Sequence, residues 1–428
     1  MRLKPPGFLR RNTVRNTLAV GVAVAGISSL VLTQATPAFA DPTQTLVLVG
    51  SDTIQDVWNA FGTTFGGNFV GSYNATNPVT GAINENITPV DGTAGVNCSF
   101  ARPNGSGQGV AALRFSLNPA SANVTGSIAP GQKPEPGCVD LARSSSGPGS
   151  LGNFTGSGAI QYVPFALDAV TGATGTANCA TANPANCPAF NADLGNGSTK
   201  SVTPVVTNIT QANLFTLADL TNLYANCQPV TEGGVTYWPA GSPVARPSGS
   251  TVIDLYVPQP GSGTRNFWGT TLGNFPTGAG LLPACVNDHI IGGALAPAND
   301  GGVSVPVEEH DGTAVATDPN GYGPFSIAQY ISQSHGHSPR IHDAALQDVN
   351  GIAPETTSGT LNTSFPITRD VYDVVSLARL QNTSDPLFSL LNGSTSQVCS
   401  AKSTIVSFGF ALLGASCGEI IPSLEAAP

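Results

Sequence analysis

The chain has 428 residues, with 16 Lys and Arg against 26 Asp and Glu, and only 10% of its residues are charged while 40% are hydrophobic. Its 50 glycines and 34 prolines describe a folded, loop-rich protein long enough for two domains or two lobes. The acidic balance makes nucleic acid and anionic membrane surfaces poor partners. A small anionic ligand stays open, because distant surface charge is screened over about 10 Å while backbone dipoles and buried arginines act locally.

Residues 1–40 read as an export signal. Arg2, Lys4, Arg10, Arg11 and Arg15 form a positive start, Leu18 to Leu32 is mostly apolar, and Ala38-Phe39-Ala40 is an A-x-A cleavage site before Asp41. Arg10-Arg11 also permits a twin-arginine route, although the Asn-Thr-Val that follows fits it poorly. Removal takes away 5 basic and no acidic residues and leaves 11 against 26, a formal −15 over 388 residues. No cysteine precedes Cys98 to carry a lipid, and no later run reaches the roughly 18 apolar residues of a membrane span. The expectation is a secreted protein, free in the medium or wall space.

The mature chain begins with a strand, Thr45 to Val49, then Gly50-Ser51-Asp52-Thr53 and a helix face of Ile54, Val57, Trp58 and Phe61, with Ser51 or Asp52 as cap. Asn104-Gly105-Ser106-Gly107 repeats the pattern ahead of a second helix through Leu113. Gly137 to Gly147 contains a short buried strand that ends on Arg143, Ser144, Ser145 and Ser146, and Ile160 to Val170 is an apolar strand broken by Pro164. Thr216 caps a helix running to Tyr224. Thr251 to Tyr256 is a strand, and Pro260-Gly261-Ser262-Gly263-Thr264-Arg265 follows it into a helix that starts at Ser262 or Thr264. Strands alternate with helices, so the fold class is α/β.

Strand, glycine turn and helix start make an anion cradle: the glycines let the backbone approach, first-turn N–H groups lack intrahelical partners, and the helix dipole favours negative charge. Ser262 and Thr264 add hydroxyls, and Arg265 adds a fixed fork of donors. Three such turns in one chain point to one shared site.

Cys98, Cys138, Cys179, Cys187, Cys227, Cys285, Cys399 and Cys417 lack the C-x-x-C spacing of a zinc or redox site. In an exported chain they read as disulfides between sequential neighbours. Glu308-Glu309-His310-Asp311, with His335, His337 and His342, is weighed as a metal site. Because neighbouring residues in a strand face opposite ways, the four are read as a solvated loop. Gly414-Ala415-Ser416-Cys417-Gly418 matches a hydrolase nucleophile pattern, but all five histidines precede it. No cofactor or nucleotide motif is present, and the chain is not read as an enzyme.

Gly-Ser-Asp-Thr at 50–53, Val-Asp-Leu-Ala-Arg-Ser-Ser-Ser at 139–146, Val-Pro-Phe-Ala-Leu-Asp at 163–168, Leu-Phe-Thr-Leu-Ala-Asp-Leu at 214–220, Gly-Ser-Gly-Thr-Arg at 261–265 and Phe-Pro-Ile-Thr-Arg-Asp-Val-Tyr at 365–372 occur in an order that resembles the phosphate-type substrate-binding proteins of ABC transporters. The resemblance covers nearly all of residues 41–420. It implies a type II periplasmic-binding-protein fold of two α/β lobes, 41–164 with 326–428 and 165–325, with crossovers near Val163 to Phe165 and Tyr322 to Phe325. It further implies a monomer that hands its ligand to a permease. An oxyanion would lie in a cleft lined by Ser51, Asp52, Thr53, Ser106, Arg143, Ser144, Ser145, Ser262, Gly263, Thr264 and Arg265. Phosphate-binding members commonly carry Gly-x-Ser-Asp where this chain has Ala142-Arg143-Ser144-Ser145, so the carboxylate that accepts the phosphate proton and rejects sulfate is absent there. Asp52 and Asp168 are the candidate replacements. Phosphate is favoured and another oxyanion is allowed. The alternatives are a wall or adhesion protein reusing the fold, and a secreted hydrolase built on Glu308 to Asp311.

Overall fold

The computed structural model describes residue 42 and residues 46–65, 70–89, 98–120, 133–176, 187–297 and 304–428. The expected export signal lies outside the described residues. Nine strands form the main path of one large mixed sheet: β1 Leu46–Gly50, β2 Val70–Ser72, β3 Leu141–Ser144, β4 Ile160–Gly175, β5 Val230–Glu232, β6 Val235–Pro239, β7 Thr251–Tyr256, β8 Gly321–Ser326 and β9 Thr368–Ser376. Their order is β2-β1-β3-β9-β4-β8-β7-β6-β5. The fold class is α/β, as the alternation of elements predicts.

The strands divide into two groups that share β4. Residues 160–169 of β4 pair with β9, and residues 170–174 pair with β8, both antiparallel. On one side β1 runs parallel to β2 and β3; on the other, β7 runs parallel to β6 and β8. Parallel strands buried on both faces need apolar side chains on both faces, and Leu46 to Val49 are all buried. Short pairings at residues 344–346, 411–412 and 425–426 also close on β4.

Pro164 does not break the strand as its residue type predicts. The β9 register shifts between Val371 and Tyr372, so that Tyr372 faces Pro164 and Val371 faces Ala166. This irregularity absorbs the residue that cannot donate to the ladder, and β4 continues through 16 residues.

Helices follow the strand ends that matter for the site: α1 Gln55–Thr64 after a single 3₁₀ turn at Asp52–Ile54, α2 Ser106–Leu117, α3 Leu217–Tyr224, α4 Gly263–Thr271 and α5 Ile327–Ser334. The 3₁₀ turn and α1 together bury Ile54, Val57, Trp58 and Phe61, the face that their spacing predicts. Thr216 and Asp219 cap α3 reciprocally, and the Ser262 hydroxyl caps α4 by accepting the Arg265 N–H at 3.0 Å.

Disulfides join Cys98 to Cys138, Cys227 to Cys285 and Cys399 to Cys417, each to its neighbour in sequence. Cys187 is also disulfide-bonded, while Cys179 lies outside the described residues. Cys417 is therefore not a free thiol beside Ser416, and the nucleophile-like pattern is a disulfide-braced 3₁₀ turn. Among the described residues no helix is long and apolar enough to cross a membrane.

Candidate functional site

Three turns meet. The Gly107 N–H donates to the Gly261 carbonyl at 2.9 Å, tying the start of α2 to the turn before α4. Gly105 adopts φ 118°, and a Cβ there would stand 2.7 Å from the Gly261 carbonyl oxygen, so only glycine allows the two turns to touch. Ser145 closes the cluster: its N–H donates to the Ser106 hydroxyl at 3.0 Å, and the two hydroxyls lie 3.2 Å apart. A Cβ on Gly263 would lie 2.3 Å from both hydroxyl oxygens. Thr53 and Thr264 face the same centre through shared partners, Glu309 and His310.

Those partners come from the stretch read as a solvated loop, and that reading is corrected: Glu309 and His310 are each 1% exposed. His310 has φ 56°, a left-handed conformation that interrupts strand alternation and lets two consecutive side chains reach one place. Glu309 Oε1 accepts the Thr264 N–H at 3.0 Å and the Thr53 hydroxyl at 3.4 Å. His310 Nε2 lies 2.8 Å from the Thr53 hydroxyl oxygen and 3.4 Å from that of Thr264.

The direction of this network follows from one backbone donor. The Ser326 N–H donates to His310 Nδ1 at 3.2 Å, which leaves the imidazole proton on Nε2, donating to Thr53. Thr53 in turn points its own proton at Glu309. Burial alone would raise the Glu309 carboxyl, but hydrogen bonding from His310 and the Thr264 N–H opposes it and pulls the group down. His310 goes the other way: burial lowers its pKa against the pull of Glu309, and the neutral ring is also what the Ser326 N–H requires. At pH 7, oriented donors rather than a full positive charge hold the Glu309 carboxylate.

Asp52 faces the same centre, with Oδ1 3.8 Å from His310 Nε2. Burial and then the Glu309 charge push its carboxyl well up, against Arg340, whose Nη2 is 3.5 Å from Asp52 Oδ2. The two carboxyls are thus pushed apart, Asp52 up and Glu309 down. Ser51 is buried, and its hydroxyl has no hydrogen-bond partner.

Several residues assigned to the cleft by resemblance are tied up elsewhere. Arg143 donates to the carbonyls of Gly50, Ser51 and Tyr73 and to the Ser72 hydroxyl, so it braces the turn after β1 from behind. Arg265 donates to the carbonyls of Pro258, Thr277 and Gly278 and pairs with Asp288 at 2.7 Å. Ser144 hydrogen-bonds within its own turn, to the Ser146 carbonyl. Asp168 is bound by Arg369 at 2.9 and 3.0 Å, the Ser326 hydroxyl and the Ala328 N–H, and is not a spare acceptor. Arg340 approaches the site instead. Nothing in the residues around Ser338-Pro339-Arg340 signals this in the sequence.

Oxygen and nitrogen atoms of Asp52, Glu309 and His310 lie within 4.8 Å of one another, the dimensions of a small metal site. The imidazole contradicts that use. A ligating histidine donates from its other nitrogen, whereas His310 Nδ1 accepts, so Nε2 has no lone pair to offer. The cluster is a hydrogen-bonded network centred on a carboxylate.

No protein-family model matches the chain, and no curated protein matches it. Solved structures similar to it include a possible phosphate binding protein from Planctomyces limnophilus, at 12% identity, TM-score 0.35, covering 88% of this chain and 95% of that one. PstS from Borrelia burgdorferi is similar at 11% identity and TM-score 0.34, with 86% and 98% covered. A phosphate binding protein from Stenotrophomonas maltophilia stands at 12% identity and TM-score 0.36, with 88% and 92% covered. Similarity at this level carries no argument about ligand or transport.

Proposed function

We propose that this chain is an exported solute-binding protein whose cradle takes an inorganic oxyanion, phosphate being favoured, and performs no chemistry on it. The supporting observation is that the Thr264 N–H and the Thr53 hydroxyl, one from each strand group, converge on a carboxylate oxygen. Donors arranged to hold a desolvated anion are thus in place, with Ser51, Asp52, Ser106, Ser145 and Gly263 around them. In this reading lobe one is 41–164 with 326–428, lobe two is 165–325, and β4 joins them. Each hydrogen bond to an anion contributes about 1.5–3 kcal/mol net. A handful reaches the roughly 8 kcal/mol of a micromolar site after closure costs. Burial and the Glu309 charge push Asp52 towards its protonated form, which does not reject sulfate as a fixed carboxylate would, so discrimination between the two is expected to be weak.

Titration calorimetry with phosphate and with sulfate, paired with thermal melting, tests the reading. Heat and a raised melting temperature with either ion are expected. Neither effect with either ion would count against oxyanion binding and for the second reading, a wall or adhesion protein reusing the fold without transport. That second reading is favoured by one observation, that the cradle already contains Glu309, and it predicts retention on cell-wall material unaffected by phosphate.

A further inference from the structure

We infer that Glu309 is a tethered competitor for the external anion: the closed protein fills its own cradle, and a free oxyanion enters only when the turn carrying Glu309 withdraws. The inference rests on the oxyanion reading above and deepens it by naming what regulates access.

The Glu309 carboxylate is an ionised group at the shared focus of two helix starts. Its Oε1 takes the Thr264 N–H, a first-turn donor of α4 that has no intrahelical partner, and also the Thr53 hydroxyl. A phosphate oxygen would need those same two donors, so the two anions exclude each other. Charge repulsion adds to the exclusion, since the His310 and Thr264 donors favour the ionised form of Glu309.

The carboxylate is also an incomplete guest. Glu309 Oε2 and the Ser51 hydroxyl are both buried, and both lack hydrogen-bond partners. A tetrahedral anion brings four oxygens where Glu309 brings two. Glu309 Oε2 finds no donor where it lies, and a larger guest has the unused Ser51 hydroxyl to gain, which gives displacement a driving force beyond exchange of like for like.

The turn is built to hold position without being locked. Gln333 Nε2 donates to the His310 carbonyl at 2.9 Å, the Ser326 N–H holds the ring, and Asn104 Nδ2 donates to Glu308 Oε2 at 3.1 Å. Cys98–Cys138, Cys227–Cys285 and Cys399–Cys417 do not include this segment. These ties are hydrogen bonds that can be exchanged for water when the two strand groups part.

A tethered competitor lowers the apparent affinity by the fraction of molecules with the cradle open. Removing it should therefore strengthen binding, the reverse of what a ligand-holding residue does. The experiment is calorimetric titration of inorganic phosphate into wild type, Glu309→Ala and Glu309→Gln, with circular-dichroism melts to show that each is folded. The expected result is phosphate bound at least about 10-fold more tightly by Glu309→Ala than by wild type. Glu309→Gln, neutral but still filling the space, should fall between. Equal or weaker binding by both folded variants overturns the tether while leaving the oxyanion site standing. No binding by any of the three overturns the tether and the oxyanion reading together.

Discussion

Arg143 and Arg265 show why residue type alone misleads at an anion site. Each is an obligate cation beside a glycine turn, and each is spent on carbonyl groups that would otherwise be buried without donors. The sequence does not distinguish an arginine that reaches forward to a ligand from one that reaches back to brace the loop, because both uses call for the same residue in the same place. Glu308 behaves in a way that can be measured. Burial, with Asp311 adding to it, raises its carboxyl to about 7 against the Asn104 hydrogen bond and Arg340. A raised folded-state pKa means that its contribution is fully present below the unfolded value near 4.5 and is lost as pH rises toward 7. The linked free energy is about 3 kcal/mol. Glu308→Gln, which mimics the protonated carboxyl, should equal wild type in chemical denaturation at pH 4 and exceed it by about 2–3 kcal/mol at pH 8. A constant difference across that range would show that Glu308 does not titrate as described.

Among the elements, strands and helix starts were legible because their signals are local. Leu46 to Val49, Thr251 to Tyr256, the Thr216 cap and the Ser262 helix start follow from apolar runs and capping chemistry. Pro164 and the Glu308–Asp311 turn were not, since a register shift in a partner strand and one left-handed residue leave no mark in periodicity. How tightly the helix starts abut is equally invisible from spacing, yet it decides what the turns can hold. Gly263→Ala sets a methyl 2.3 Å from the Ser106 and Ser145 oxygens, which must rotate or push α4 away from α2. A loss of about 1–3 kcal/mol in stability is expected, together with weaker oxyanion binding. Unchanged stability would show that the two helix starts are not packed as described.

At the level of the whole molecule, β4 is the element on which both strand groups hang. It pairs with β9 along one half and β8 along the other, so the groups are joined by a continuous strand rather than a loose linker. The Cys227–Cys285 bridge lies at residues of one group, and Cys98–Cys138 and Cys399–Cys417 at residues of the other. Covalent bracing of this kind stiffens each half and leaves their approach to hydrogen bonds such as Gly107 to Gly261 and Gln259 to Asn104. The α/β class and the order of elements were readable from sequence because each rests on neighbours in the chain. The occupant of the cradle was not, because Glu309 reaches Thr53 across 256 positions.

The central claim is that Thr53 and Thr264 point their donors at one anion, which Glu309 supplies in the closed protein. A crystal structure of the Glu309→Ala variant grown with phosphate tests it most directly. The account predicts a tetrahedral ion bonded to the Thr53 hydroxyl and the Thr264 N–H. A well-ordered cradle holding only water, with the two donors turned to other partners, would contradict it.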